Sequence, residues 1–245
     1  ASDKAVMHAA CSKIPVPQPV LLRPATLEKF VAGARELGYP DVPVCFKPPV
    51  AKGSRGFRIL SAEIDRVHGL LYEKPINRYM TLDDFVDLFT GYEPFPQLML
   101  MEYVDAPEIT VDLFADKGEV VFHQTRTREE FLTGLAMAFK TIDRPDLVEL
   151  TRKVVRHLGL DYYQSVQWIG GKLLEINPRV STFVYQEDFI IPYLGIKYAL
   201  GEIEPDDPDF IFSQKCLLVS FEDREALTSE DRKIIKELGI KFRGR

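Results

Sequence analysis

The stretch from Tyr163 to Arg179 constrains the fold most, because it has the pattern of two β-strands joined at a glycine pair. Tyr163–Ile169 and Lys172–Ile176 are apolar-rich runs of strand length. Gly170-Gly171 between them is typical of a hairpin turn. A hairpin requires antiparallel pairing, which argues against a fold built only from parallel strands and crossover helices.

The polar residues at the end of this hairpin predict a metal and phosphate site. Alternate residues of a strand share a face, so Glu175, Asn177 and Arg179 should project together. A carboxylate and an amide supply the oxygen ligands that Mg²⁺ prefers, and a guanidinium clamps phosphate oxygens. Pro178 ends the strand there. On these residues alone, a solvated strand face explains the pattern equally well.

Gln167 on the preceding strand favours the metal interpretation. A two-residue loop would put Gln167 and Glu175 on opposite faces, whereas a three-residue loop would put them on the same face. We expect the three-residue loop, because a metal pair requires a second oxygen ligand facing Glu175. A buried strand glutamine is the alternative for Gln167.

Two earlier segments have features of a nucleotide site. An apolar strand ends at Lys47, and the glycine-bearing loop Ala51–Gly56 follows it. The amides of such a loop can fold over phosphates, although its spacing is not that of a Walker A loop. A second apolar strand runs into Glu102-Tyr103-Val104, as in a hinge that presents backbone groups to adenine, and Glu108 follows it. An ordinary loop and a solvated strand end are the alternatives.

The remaining pattern predicts a mixed α+β class. Apolar periodicity, caps and stop residues predict five helices, at Thr26–Gly38, Thr81–Gly91, Pro145–Leu158, from Pro192, and at Ser229–Leu238. Strand patterns lie between most of them, and Asp116-Lys117-Gly118 predicts a second hairpin turn. The acidic, proline-bearing stretch Glu202–Asp209 is interpreted as a linker to a C-terminal extension.

Composition excludes several other classes. Hydrophobic residues make up 46% of the 245, enough for a substantial core. The net charge of −6 argues against nucleic acid as the main partner, and no apolar run is long enough to span a membrane. Three scattered cysteines fit neither a disulfide framework nor a zinc site, so we expect a cytoplasmic protein.

The order of these features resembles the ATP-grasp superfamily, most closely the ATP-binding part of the carbamoyl-phosphate synthase large chain and biotin carboxylase. The likeness covers about Asp3 to Gly201, and its most specific motif is Glu175-Ile176-Asn177-Pro178-Arg179-Val180-Ser181. It implies the ATP-grasp fold, two α/β lobes whose antiparallel sheets clasp ATP. We expect the lobes at residues 1–101 and 102–203, with a C-terminal extension at 204–245.

The resemblance also implies residue roles. The residues that would hold ATP are Lys4, Lys47, Gly53, Ser54, Arg55, Gly56, Glu102, Tyr103, Val104 and Glu108. Those that would hold two magnesium ions, with Mn²⁺ as the alternative ion, are Gln167, Glu175 and Asn177. The catalytic cations would be Arg179 and Lys47, to which strand position adds Arg126 and Arg128.

The implied activity is a Mg-ATP-dependent ligase that activates a small-molecule acid as an acyl phosphate for attack by an amine or similar nucleophile. Thr182–Phe189 departs from the synthase pattern, so carbamoyl phosphate itself is not implied. The chain begins where the family's preceding α/β domain normally ends. We therefore expect that domain to be excised or supplied by a partner chain, and a homodimer is compatible with the sequence. The alternatives are a non-catalytic ATP-binding regulatory module and a small-molecule kinase.

Overall fold

The computed structural model describes residues 3–51, 54–65, 67–68, 71, 78–132, 135–180 and 190–204. The chain forms two compact units, one of Ala1–Ser12 with Pro17–Ala106 and one of Lys13–Val16 with Pro107–Arg245. The predicted α+β class with antiparallel sheets is confirmed. Gly53, the helix predicted at Ser229–Leu238 and the extension after Glu204 lie outside the described residues.

The first unit is a five-stranded sheet with helices on it. Its strands are β1 (Leu21–Leu22), β2 (Val44–Lys47), β3 (Arg58–Leu60), β4 (Tyr79–Met80) and β5 (Met99–Glu102), in the order β1-β5-β2-β3-β4. Its helices in the described residues are α1 (Lys4–Cys11), α2 (Leu27–Glu36) and α3 (Leu82–Phe89). All strand pairs are antiparallel except β3 with β4.

Local caps explain where α2 and α3 begin. The side chain of Thr26 accepts a hydrogen bond from the backbone N–H of Lys29, and Thr81 forms a reciprocal capping box with Asp84. Both N-caps agree with the sequence prediction. Helix α1 was not predicted.

The sheet of the first unit is apolar on both faces. One face packs against an aromatic cluster in which Phe30 stacks on Phe85 at 3.9 Å between ring centroids. The other face, which carries Cys45 and Met99, packs against Ala5 of α1. Polar groups of this sheet are therefore placed at its strand ends.

The second unit contains a four-stranded antiparallel sheet of order β11-β10-β6-β7. Its strands are β6 (Glu108–Asp116), β7 (Glu119–Thr127), β10 (Tyr162–Ile169) and β11 (Lys172–Asn177), and β8 (Glu129–Leu132) with β9 (Leu135–Ala138) forms a separate hairpin. The helices described here are α4 (Pro145–Leu158) and α5 (Ile191–Ala199). The predicted turn at Lys117-Gly118 joins β6 to β7.

The two faces of this sheet differ. Helix α4 covers one face, where the buried indole of Trp168 donates a hydrogen bond to the Thr151 hydroxyl at 3.0 Å. On the other face, Phe114, Phe122 and Tyr163 pack against α5. Further along, that second face becomes polar. Within the described residues, no helix has the length and apolar character needed to cross a bilayer.

Candidate active site

The polar face of the second unit brings the three predicted metal ligands together. Gln167 in β10 lies directly opposite Glu175 in β11, and Asn177 lies opposite Ser165 in the next same-face row. Directly opposed residues of antiparallel strands share a face, so the expectation that Gln167 and Glu175 face the same side is confirmed. The Asn177 amide donates to Glu175 Oε1 at 2.8 Å.

The predicted three-residue loop is wrong. Ile169 pairs with Lys172, so the turn contains only Gly170 and Gly171, both with positive φ (55° and 77°) as in a type I′ turn. The same-face arrangement arises from a β-bulge instead. The register shifts between Gln167 and Trp168, and Leu174 is the extra residue that moves Glu175 onto the face of Gln167.

The donor chemistry of Gln167, Glu175 and Asn177 fits a magnesium ion. Gln167 is 8% exposed, whereas Glu175 and Asn177 are partly exposed at the edge strand. Because the Asn177 nitrogen faces Glu175, its carbonyl oxygen points elsewhere and can act as a ligand. One carboxylate with two amide oxygens matches a hard cation that takes its remaining ligands from phosphate and water. The metal role of these residues stays a prediction.

The same row continues across the sheet to Arg126. Gln167 pairs with Thr110, which pairs with Arg126. Arg126 is 2% exposed, and its Nε donates to the buried carboxylate of Asp112. Asp112 also accepts a hydrogen bond from the Tyr163 hydroxyl at 2.9 Å.

Burial of this cluster specifies what Arg126 does in the fold. Its guanidinium carbon lies 5.4 Å from the centre of the Phe139 ring, so an aromatic face and a carboxylate both hold it. A charge buried this deeply requires a partner, which Asp112 supplies. The predicted catalytic role of Arg126 stays a prediction beside this structural one.

The other predicted groups of the second unit have different surroundings. The Glu108 carboxylate, predicted to hold ribose, is ion-paired with Arg128 and is partly buried. Arg179 lies beyond the end of β11, after Pro178, and is exposed to solvent. The structure thus brings Gln167, Glu175 and Asn177 into one group, with Arg179 two residues further along the chain.

In the first unit, the two predicted lysines lie at element ends. Lys47 is the last residue of β2 and is partly buried. Lys4 is the first residue of α1, and its ammonium donates to the carbonyl of Ala51 at 2.9 Å. Its backbone N–H donates to the carbonyl of Pro49 at 3.0 Å. Lys4 therefore anchors the beginning of the glycine-bearing loop Ala51–Gly56.

The described part of that loop is exposed and turns sharply. Ser54, Arg55 and Gly56 are exposed, and the N–H of Phe57 closes a turn onto the carbonyl of Ser54 at 3.2 Å. Gly56 has φ of 72°, and a Cβ there would lie 2.7 Å from a ring carbon of Pro48. Only glycine fits this position without displacing the proline.

The predicted adenine hinge follows β5. Glu102 accepts a hydrogen bond from the backbone N–H of Val20 at 2.9 Å, so its carboxylate ties β5 to the chain before β1. Its carbonyl oxygen accepts from the Cys45 thiol at 3.5 Å. Tyr103 and Val104 follow it and are partly buried. Burial, with a smaller contribution from Tyr79, raises the pKa of the Tyr103 hydroxyl.

Burial also dominates the chemistry of Cys45. It raises the pKa of this thiol to about 12, an increase that Glu102 reinforces and Lys47 opposes. The thiol therefore stays protonated at neutral pH and acts as a hydrogen-bond donor.

Sequence reasoning missed Asp112, Tyr163 and Thr110. Thr110 is fully buried, and its hydroxyl has no hydrogen-bond partner in the part of the chain that the structure describes. Asp112 and Thr110 alternate with apolar residues in β6, a pattern that suggests an ordinary half-exposed strand. The available signal was the alternation of residues along β6, which places Thr110 and Asp112 on the same face as Glu108.

Two family models match the chain. Residues 94–219 match the model described as ATP-grasp in the biosynthetic pathway with Ter operon. Residues 194–245 match a domain of unknown function, DUF7309.

Solved structures of ATP-grasp enzymes share the fold. The N5-carboxyaminoimidazole ribonucleotide synthetase purK, in its ADP complex, matches with a TM-score of 0.60 and 15% identity over 80% of this chain and 50% of its own. The biotin carboxylase domain of 2-oxoglutarate carboxylase from Hydrogenobacter thermophilus, with MgADP and bicarbonate, matches at 0.57 and 20% over 82% and 46%. The ATP-grasp ligase PsnB, with its minimal precursor, matches at 0.55 and 15% over 82% and 61%.

These matches are partial with respect to the known proteins. The chain spans between 46% and 61% of the length of these three structures. At 15% to 20% identity, the likeness establishes the fold.

Proposed function

We propose that this chain, which belongs to the ATP-grasp family in the biosynthetic pathway with Ter operon, is the nucleotide-binding part of a Mg-ATP-dependent ligase. It would activate a small-molecule carboxylate as an acyl phosphate for attack by an amine or similar nucleophile. The carrying observation is the opposed pair Gln167 and Glu175, with Asn177 hydrogen-bonded to Glu175. This triad is composed of oxygen-bearing side chains held by strand register.

The reaction has two balanced steps. A carboxylate oxygen of the acid attacks the γ-phosphorus of ATP, the bond to the β-phosphate oxygen breaks, and ADP leaves with the acyl phosphate formed. The amine then attacks the acyl carbon, phosphate departs with the C–O bonding electrons, and the nitrogen loses a proton. The first step needs no general base, because a carboxylic acid is ionised near neutral pH.

The chain's own residues would bind and align the reactants. Gln167, Glu175 and Asn177 would hold magnesium, which when bound neutralises charge on phosphate oxygens. Lys47 at the end of β2, Arg179 after β11 and the loop around Ser54–Gly56 would bind phosphate groups through their cations and amides. Tyr103 and Val104, which follow β5, would offer their backbone groups to an adenine edge.

The central test is Glu175→Gln. It removes one carboxylate charge while keeping the shape, so the acceptor-dependent release of ADP should fall about 100-fold or more. Glu119→Gln is the matched control, because Glu119 is an exposed carboxylate paired with Arg156 and should leave the rate unchanged. A near wild-type rate for Glu175→Gln would refute the metal role.

A second readout does not depend on knowing the acceptor. Electron paramagnetic resonance in the presence of ADP should show that the wild-type protein binds Mn²⁺ and that Glu175→Gln binds it more weakly. Tight nucleotide binding without turnover across a broad panel of acids would instead support a regulatory module. A stable phosphorylated product with no released phosphate would support a kinase.

A further inference from the structure

A separate cavity lies on the opposite face of the second sheet from the predicted metal row. Its volume is about 230 Å³, and it opens between β7 and the beginning of α4. His123 and Thr125 of β7 form part of its lining. These residues alternate along the strand with Gln124 and Arg126, so they face the other side of the sheet.

The wall of this cavity that α4 contributes carries a fixed cation. Arg152 lines the cavity and donates from Nη1 to the carbonyl of Val120 at 3.1 Å, which holds the guanidinium in place. A guanidinium has five N–H donors, so one such bond leaves capacity to bind an anion.

The rim carries the opposite charge. Asp143 and Glu149 both line the cavity and are exposed to solvent, and Glu149 also lies 4.0 Å from the Lys153 ammonium. Burial, followed by the nearby charge of Arg152, lowers the pKa of His123, whereas Asp143 opposes that shift. The imidazole is therefore neutral near pH 7 and adds polarity to the lining without adding charge.

The remaining lining is mainly apolar. Ile142, Pro145 and Val148 form most of it, and Thr141 completes the cavity. The volume corresponds to about eight water molecules at roughly 30 Å³ each, which suits an organic molecule of around ten non-hydrogen atoms. A guanidinium, two carboxylates and an apolar surface in this space match a ligand that carries both charges.

We propose that this cavity binds a small free α-amino acid, with its carboxylate at Arg152 and its ammonium group at Asp143 and Glu149. The assignment rests on the second unit alone and goes beyond the proposed ligase activity. Binding there requires neither ATP nor magnesium, so its failure and the failure of the ligase proposal are separately observable.

Saturation-transfer difference NMR with the full chain at pH 7, without nucleotide, tests the ligand class. We expect saturable binding of at least one standard amino acid from a complete panel. For that amino acid, the N-acetylated and decarboxylated analogues should each bind about tenfold or more weakly, because each lacks one of the two charges. No binding by any amino acid at about 10 mM would overturn the proposal, as would an equally tight fit of the decarboxylated amine.

Variants test the location by isothermal titration calorimetry with the same amino acid. Arg152→Gln and Asp143→Asn should each raise the Kd about tenfold or more, and Arg152→Lys should have a smaller effect because it keeps the charge but loses the fork. Arg156→Gln is the control, since Arg156 is on the same helix, pairs with Glu119 and does not line the cavity. Unchanged affinity in both Arg152→Gln and Asp143→Asn, with native Trp168 fluorescence, would place the ligand elsewhere.

Discussion

The sheets of the two units place their polar side chains in different ways. The first sheet is apolar on both faces, so Lys47 and Glu102 come at strand ends. The second sheet carries a polar row within its strands, in which Gln167 and Glu175 are fixed by cross-strand pairing. Strand pairing defines the position of a side chain more tightly than loop contacts do, because ladder hydrogen bonds before and after a residue hold its backbone. The predicted metal ligands are thus built into a sheet, whereas the predicted phosphate-binding groups depend on loops.

The largest expected effect comes from breaking the buried ion pair of the second sheet. Asp112→Asn removes the carboxylate charge from the ion pair with Arg126, whose side chain is 2% exposed. The free energy of unfolding of the second unit should fall by about 3–5 kcal/mol. Trp168 is the single tryptophan and is buried in this unit, so urea unfolding followed by its fluorescence measures the change directly.

Asp146→Asn is the control for this prediction. It removes the partner of Arg144 in an exposed ion pair at 2.7 Å, and should cost less than about 1 kcal/mol. Equal losses of unfolding free energy in the two variants would show that the buried ion pair stabilises the second unit no more than the exposed one does.

An intermediate effect is expected from the loop of the first unit. Gly56→Ala places a Cβ at 2.7 Å from Pro48 at a residue with φ of 72°. The combined strain should cost about 2 kcal/mol and loosen the loop between β2 and β3. Hydrogen exchange of the β2 and β3 amides should become faster, while the Trp168 unfolding transition stays in place. A shift of that transition would instead show that the two units unfold together.

The smallest effect on stability at neutral pH concerns Cys45, which precedes the core residue Phe46 in β2. Because the pKa of its thiol is raised to about 12, the folded protein should react with iodoacetamide far more slowly than the denatured chain at pH 8. The thiol of the unfolded chain has a pKa near 9. The difference from the folded pKa therefore stabilises the folded state fully below pH 9, and this stabilisation is lost as the pH rises towards 12. A variant with Cys11→Ser and Cys216→Ser isolates the reaction, and rapid labelling at pH 8 would show an open first sheet.

Much of the fold was predictable because local signals determine it. The caps at Thr26 and Thr81 and the turn at Lys117-Gly118 use short-range hydrogen bonds and backbone preferences that residue type reveals. Helix α1 was missed because its inward residues include a buried histidine, His8, which weakens the apolar stripe. The pair β8 and β9 was missed because two glutamates begin β8 and because the apolar run of β9 does not distinguish strand from helix.

The site was predictable in part. The opposition of Gln167 and Glu175 followed from the chemistry expected of them, but the sequence could not show that a bulge rather than a longer turn produces it. The contacts of Asp112 with Arg126 and Tyr163 span 14 and 51 positions. No local pattern indicates such pairs until the register of three strands is known.

The extra leucine at position 174, together with the two-glycine turn, sets the direction of the Glu175 carboxylate. A homologue that lacks this leucine but has the same two-glycine turn would keep the carboxylate opposite Gln167. Its two strands would then pair without the bulge. Alignments of this segment should therefore admit a one-residue gap beside Leu173 rather than within Gly170-Gly171.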